Sequence, residues 1–187
     1  GLTTADYSVR AENKDGVKSN SVLFKVTPQL VEERPVIRSI EPVSGPVGTY
    51  VTIRGDKFGS ALGQVLFRQP PTGGGVDFTG DQPICADQYW SDTQIIIKVP
   101  ARDQAGNTVT AGNVSVRVRK SGLAATPESQ SLTFEVTLGA PPPGLCAITP
   151  VSGPVGTLVT LRGEGFTSAA QLQWSGAVSS PSFRSSN

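Results

Sequence analysis

An eleven-residue phrase occurs twice in this chain with a single substitution. Pro42-Val-Ser-Gly-Pro-Val-Gly-Thr-Tyr-Val-Thr52 returns as Pro150-Val-Ser-Gly-Pro-Val-Gly-Thr-Leu-Val-Thr160, 108 residues later. The match continues from Arg54, Gly55 and Phe58 to Arg162, Gly163 and Phe166. A period of that length is too long for a solenoid unit and fits a small domain, so the chain reads as part of a tandem array. Fainter echoes keep nearly the same period: Tyr7-Ser-Val-Arg10 resembles Val114-Ser-Val-Arg117, and Val22–Thr27 resembles Leu132–Thr137. The expected organisation is the closing strands of one domain at 1–27, a linker at 28–34, a complete domain at 35–137, a Pro-rich linker at 138–143 and the first half of a further domain at 144–187. Both ends then fall inside domains. An excerpt of a longer array accounts for this, as does a subunit whose ends complete one another between neighbours. The second arrangement would lack a counterpart of strand Gln94–Val99.

Of the 187 residues, 21 are Gly and 15 are Pro, and Val, Thr and Ser are frequent, a mixture suited to short strands and many turns. Strands are expected at Val36–Ile40, Tyr50–Arg54, Gln64–Phe67, Gln94–Val99, Asn113–Arg119 and Ser131–Val136. Val114, Val116 and Val118 alternate with Ser115, Arg117 and Arg119, which predicts one packed face and one face in water. Short strands of this spacing without helical periodicity give the fold class: all-β, tandem immunoglobulin-like β-sandwich domains. Within the repeated phrase, Pro46 fixes φ while Gly45 and Gly48 can take positive φ, allowing an abrupt turn. Gly55 is expected to end its strand and let Phe58 fold back onto the core; Gly153, Pro154, Gly156, Gly163 and Phe166 repeat these roles. A Gly-rich phosphate cradle would need a helix after it and a Lys-Ser/Thr pair, and the phrase has neither. The run Leu138-Gly-Ala-Pro-Pro-Pro-Gly144 predicts a semi-rigid polyproline II connection.

Taken in order, Pro35–Thr49, Gly55-x-x-Phe58, Trp90-Ser-Asp-Thr-Gln-Ile95, Val99-Pro100 and the closing Val116–Val118 and Ser131–Val136 segments resemble the IPT/TIG family of immunoglobulin-like domains. The resemblance covers 35–137 well, 144–174 strongly and 5–27 moderately. It implies the fold and leaves function open, since the family occurs in bacterial surface arrays, in extracellular carbohydrate-acting enzymes and in eukaryotic receptors and transcription factors.

No histidine is present, which removes a His-based triad and the commonest transition-metal ligand. Two cysteines cannot build a structural zinc site. Asp77, Asp81 and Asp87 lack the regular oxygen spacing of a calcium loop and read as a solvated stretch. No pair of carboxylates is singled out, so the chain reads as non-catalytic and without a cofactor or metal. Sixteen basic against 15 acidic residues, a net charge of +1, leave no footprint for nucleic acid, and no apolar run is long enough to insert in a membrane. Cys146 aligns with Arg38, so the cysteines do not form a bridge repeated in each domain. A Cys85–Cys146 bond between successive domains, bonds to other chains and two buried thiols all remain open. Residues 68–83 read as an inserted loop, with Arg68, Phe78 and Asp81 available for contact and Phe78 as an exposed anchor, or as an idle surface loop. Trp90 and Trp174 are candidates for glycan stacking or for packing, and Asn113-Val-Ser115 is an acceptor sequon.

These features favour a non-catalytic structural segment of an extracellular stalk, adhesin or filament. Its expected partners are neighbouring immunoglobulin-like domains or identical subunits, with a glycan or cell-surface ligand as a further partner. The alternative is a carbohydrate-binding accessory module of a secreted enzyme, and a receptor ectodomain stands third.

Overall fold

A computed structural model of the chain describes residues 3–27, 34–71, 73–85, 89–121 and 127–167, together with the backbone of 172–174 and 177–179. The chain divides into two compact units, Gly1–Glu32 and Glu33–Asn187. The first is an antiparallel pair, β1 (Ala5–Val9) and β2 (Val22–Val26), with Tyr7 opposite Phe24. Val22, Leu23 and Phe24 are exposed on this pair.

The second unit opens with a two-layer sandwich. One sheet has the order β3 (Val36–Glu41), β5 (Tyr50–Asp56), β8 (Gln94–Lys98). The other has the order β4 (Ser44–Pro46), β10 (Leu132–Thr137), β9 (Gly112–Arg119), β6 (Gln64–Gln69), β7 (Val76–Thr79). The period-two pattern turns Val51, Ile53, Ile95 and Ile97 of the first sheet toward Val65, Phe67, Val114, Val116 and Phe134 of the second, all of them buried. Phe67 and Phe134 meet edge to face, with centroids 6.1 Å apart. Among the described residues there is no helix, in keeping with the all-β expectation.

Four local expectations need correction. The repeated phrase is not only a turn, since Ser44–Pro46 forms β4, which runs parallel to β10 and carries the chain from one sheet to the other. The turn itself is Pro46–Thr49, closed by the Thr49 N–H donating to the Pro46 carbonyl at 3.1 Å; Gly48 at φ 85° occupies its third position, as a type II turn requires. Gly45 is needed for a different reason: a Cβ there would collide with the Thr49 side chain. Gly55 lies inside β5 rather than at its end, and a Cβ there would strike the Val36 carbonyl and the ring of fully buried Phe58. Finally, the expected loop 68–83 contains β7, which pairs Phe78 with Phe67 across β6. Phe78 is 3% exposed, so it is core and not an exposed anchor.

The second copy begins with β11 (Gly144–Thr149) paired antiparallel with β12 (Thr160–Glu164), and then the pair β13 (Leu172–Trp174) and β14 (Ala177–Ser179). It reproduces the first copy closely. Thr157 donates to the Pro154 carbonyl with Gly156 at φ 90°, a Cβ at Gly153 would meet Thr157, and one at Gly163 would meet the Gly144 carbonyl and Phe166. Phe166 is 45% exposed, whereas its counterpart Phe58 is fully buried. The Leu138–Gly144 connection is not a continuous polyproline helix, because Gly139 sits at φ 122°.

Phe134→Ala would empty the centre of the sandwich and is expected to cost about 3–5 kcal/mol in denaturant unfolding. A loss below about 1 kcal/mol would show that the core is packed otherwise.

Candidate functional site at the repeat junction

The β3–β5 pair shifts register between Ile37 and Ser39, leaving Arg38 as the bulged residue; β11–β12 shifts at the same place, between Leu145 and Ala147, leaving Cys146. A bulge re-aims one side chain. In the first copy, the bulged Arg38 pairs with Asp56 at 2.5 Å. In the second, Cys146 is bonded to Cys85 on the connection between β7 and β8, with Cα atoms 5.9 Å apart. Both cysteines are buried.

A second set of contacts surrounds the bond. Tyr50, Thr52 and Arg54 of β5 face away from the core and lie opposite Lys98, Ile96 and Gln94 of β8. Gly144 at the start of β11 lies directly against the Tyr50 ring, where a Cβ would collide. The Tyr50 hydroxyl donates to Glu164 Oε2 at 2.6 Å, and Lys98 Nζ reaches the same oxygen at 3.3 Å while standing 5.8 Å from the centre of the Tyr50 ring. Burial, reinforced by the bond to Glu164, pushes the Tyr50 phenol up to about 12. The Tyr50 hydrogen bond and the nearby Lys98 ammonium hold the Glu164 carboxyl below its ordinary range. Tyr50 aligns with Leu158 and Glu164 with Asp56, so these contacts use positions where the two copies differ.

Beside the bond, the outward face of β5 and β8 and the side of β11 flank an open groove of about 370 Å³. Thr52, Arg54, Gln94 and Ile96 form one wall, and Leu145, Ile148 and Val151 the other. Arg54 Nη1 donates to Gln94 Oε1 at 2.8 Å.

The remaining sequence candidates are dispersed. Arg68 makes a two-point pair with Asp77 at 2.8 and 3.0 Å on the outer face of the five-stranded sheet. Arg117 joins Asp77 to Glu128, and Glu128 also pairs with Arg119. The Arg68 hydrogen bond, with Arg117 beside it, holds the Asp77 carboxyl below its usual range. This ladder replaces the water expected over that face, and Ser115 within it is 8% exposed. Asp81 exchanges two backbone hydrogen bonds with Lys98 at the margin of β8. Asp87 lies outside the described residues; among those described, no three His, Cys, Asp or Glu side chains converge on a metal position. Trp90 is half-buried against the core and donates from Nε1 to the Gly59 carbonyl at 3.0 Å, so it serves packing. The Trp174 side chain lies outside the described residues. Asn113 is exposed on β9, opposite Glu135.

The IPT/TIG domain family matches residues 35–136. A 92-residue stretch, 49% of the chain, is 38% identical to a cyclomaltodextrin glucanotransferase of Niallia circulans and 37% identical to that of a Bacillus strain. In each case the match covers 10% of the enzyme, so the chain spans about a tenth of the length of these relatives. The solved gamma-CGTase of alkalophilic Bacillus clarkii is similar at 23% identity and a TM-score of 0.41, over 68% of this chain and 16% of the enzyme.

Replacing both cysteines by Ser should lower the unfolding free energy by about 4 kcal/mol if the bond acts by shortening the unfolded chain across 61 residues. An unchanged midpoint in denaturant would contradict that role. The polar contacts carry a pH signature. A depressed Glu164 contributes stability above the ordinary carboxylate range and loses it as pH falls from there through its lowered folded-state value. A raised Tyr50 contributes below 10.0 and loses its contribution as pH rises from there to about 12. Glu164→Gln should therefore flatten the acid limb of the stability profile and Tyr50→Phe the alkaline limb; profiles parallel to wild type would remove the contacts from the account.

Proposed function

As the chain belongs to the IPT/TIG domain family, we propose that it is a non-catalytic, carbohydrate-binding accessory segment of a secreted carbohydrate-active enzyme. The observation that carries this reading is its likeness, at 38% and 37% identity, to a tenth of two cyclomaltodextrin glucanotransferases. A tenth of such an enzyme is the size of one sandwich domain. Three features are consistent with the reading. The buried disulfide suits an oxidising, extracellular setting. The junction fixes a second repeat against the first through a covalent bond and a shared carboxylate. A near-neutral surface suits a neutral polysaccharide better than a polyanion.

The stalk, adhesin or filament reading that the repeats and linkers favour gains nothing from these relatives, which are enzymes. A clamped junction serves either role equally well. The relatives therefore shift the choice toward the accessory segment, whose ligand class is an α-glucan.

The test is native gel electrophoresis of the chain in gels cast with soluble starch. Retardation relative to a starch-free gel is expected, and competition by maltoheptaose should restore mobility. Identical mobility in both gels, with starch at saturating concentration, would overturn the carbohydrate-binding reading.

A further inference from the structure

Both sulfurs of the Cys85–Cys146 bond are shut off from solvent, Cys85 at 0% exposure and Cys146 at 3%. One side chain reaches the backbone on every side of them. The Tyr50 hydroxyl accepts from the Ile84 N–H at 3.5 Å, and Ile84 directly precedes Cys85. The Tyr50 ring lies against Gly144, which stands two residues before Cys146. The same hydroxyl donates to Glu164, two residues beyond Arg162. The Arg162 carbonyl oxygen sits 3.7 Å from Cys85 Sγ and 3.5 Å from Cys146 Sγ. We propose that Tyr50 is a gate over this disulfide: thiols reach the sulfurs only when its contacts with β11, β12 and the Ile84–Cys85 segment let go. Such a gate operates whether or not the segment binds carbohydrate.

Reduction requires a thiolate to attack one sulfur, displacing the other as a thiolate and leaving a mixed disulfide. A second thiolate of the reductant then displaces the first protein sulfur. Two electrons pass to the protein, the dithiol closes into its own disulfide, and its two protons end on the cysteines. Buried sulfurs offer no line of attack. The Arg162 carbonyl also sets a partial negative charge beside both, which repels an incoming anion. The gate is polar as well as steric, because its hydroxyl bridges two elements and Lys98 holds the same Glu164 oxygen at 3.3 Å. Leu158, the counterpart of Tyr50 in the second copy, has no group that could make these bonds. Opening this corner breaks fewer contacts than unfolding the sandwich, so exchange proceeds through local opening.

Reduction of the folded, full chain by dithiothreitol, with new thiols counted by mass after maleimide labelling, tests the gate. It should run far more slowly than reduction of oxidised glutathione under the same conditions. Tyr50→Phe and Glu164→Gln should each speed it roughly tenfold, as expected on losing a hydrogen bond that holds the closed state. Val116→Ala, in the buried core on β9, should leave the rate unchanged although it lowers the melting temperature. The melting temperature of each variant checks that it is folded where the rate is measured. Reduction of the unaltered chain as fast as that of oxidised glutathione would overturn the shielding. Unchanged rates in both Tyr50→Phe and Glu164→Gln would overturn the role of Tyr50. Equal acceleration by Val116→Ala would show exchange through global unfolding and overturn the local gate.

Discussion

The close approach of the first two long strands of each repeat governs both the sandwich and its junction. Gly55 admits the Val36 carbonyl and the Phe58 ring on one side of β5, and Gly163 does the same for Gly144 and Phe166. One extra residue bulges from the first of these strands, at the same place in both copies. The bulge turns its side chain out of the regular pleat. In one copy that residue is Arg38, answered within the same copy by Asp56; in the other it is Cys146, answered by Cys85 of the first copy. One backbone device thus yields a solvent-facing ion pair in one place and a covalent junction in the other.

The fold was largely legible because its signals are local. Alternation marks β9 clearly, and the six expected strands all occur, with ends shifted by one or two residues. What escaped was non-local. β7 comes after a run rich in Gly and Pro, and its four residues become a strand only because β6 offers a free edge and Phe67 a partner for Phe78. The role of Gly45 is not readable in advance, because sequence can show that a glycine is wanted without showing whether φ or a neighbouring side chain demands it.

The junction was less legible, for a related reason. Identities between the copies report the fold, whereas their differences report the junction. Arg38 against Cys146, Asp56 against Glu164 and Tyr50 against Leu158 are the substitutions that create the bond and the shared carboxylate. The cysteine difference attracts notice in any sequence; Asp56 against Glu164 looks like conservative drift, and Tyr50 against Leu158 carries no sign of a partner in the other copy. Arg68, Arg117 and Arg119 were likewise invisible as a network, since Asp77 and Glu128 reach them only through the sheet register. That ladder is self-neutralising in part and half-buried, which makes it a covering for the sheet rather than an electrostatic docking face.

The start of the second copy is tied to the first by the Cys85–Cys146 bond and by the Glu164 carboxylate that Tyr50 and Lys98 share. Everything beyond the single domain in this account depends on the covalent closure between Cys85 and Cys146. Its most direct measurement is peptide mapping of the unreduced, thiol-blocked chain by mass spectrometry. A single linked pair of peptides containing these two residues, lost on reduction, is expected. Blocked free thiols at both positions, or links between separate chains, would contradict it.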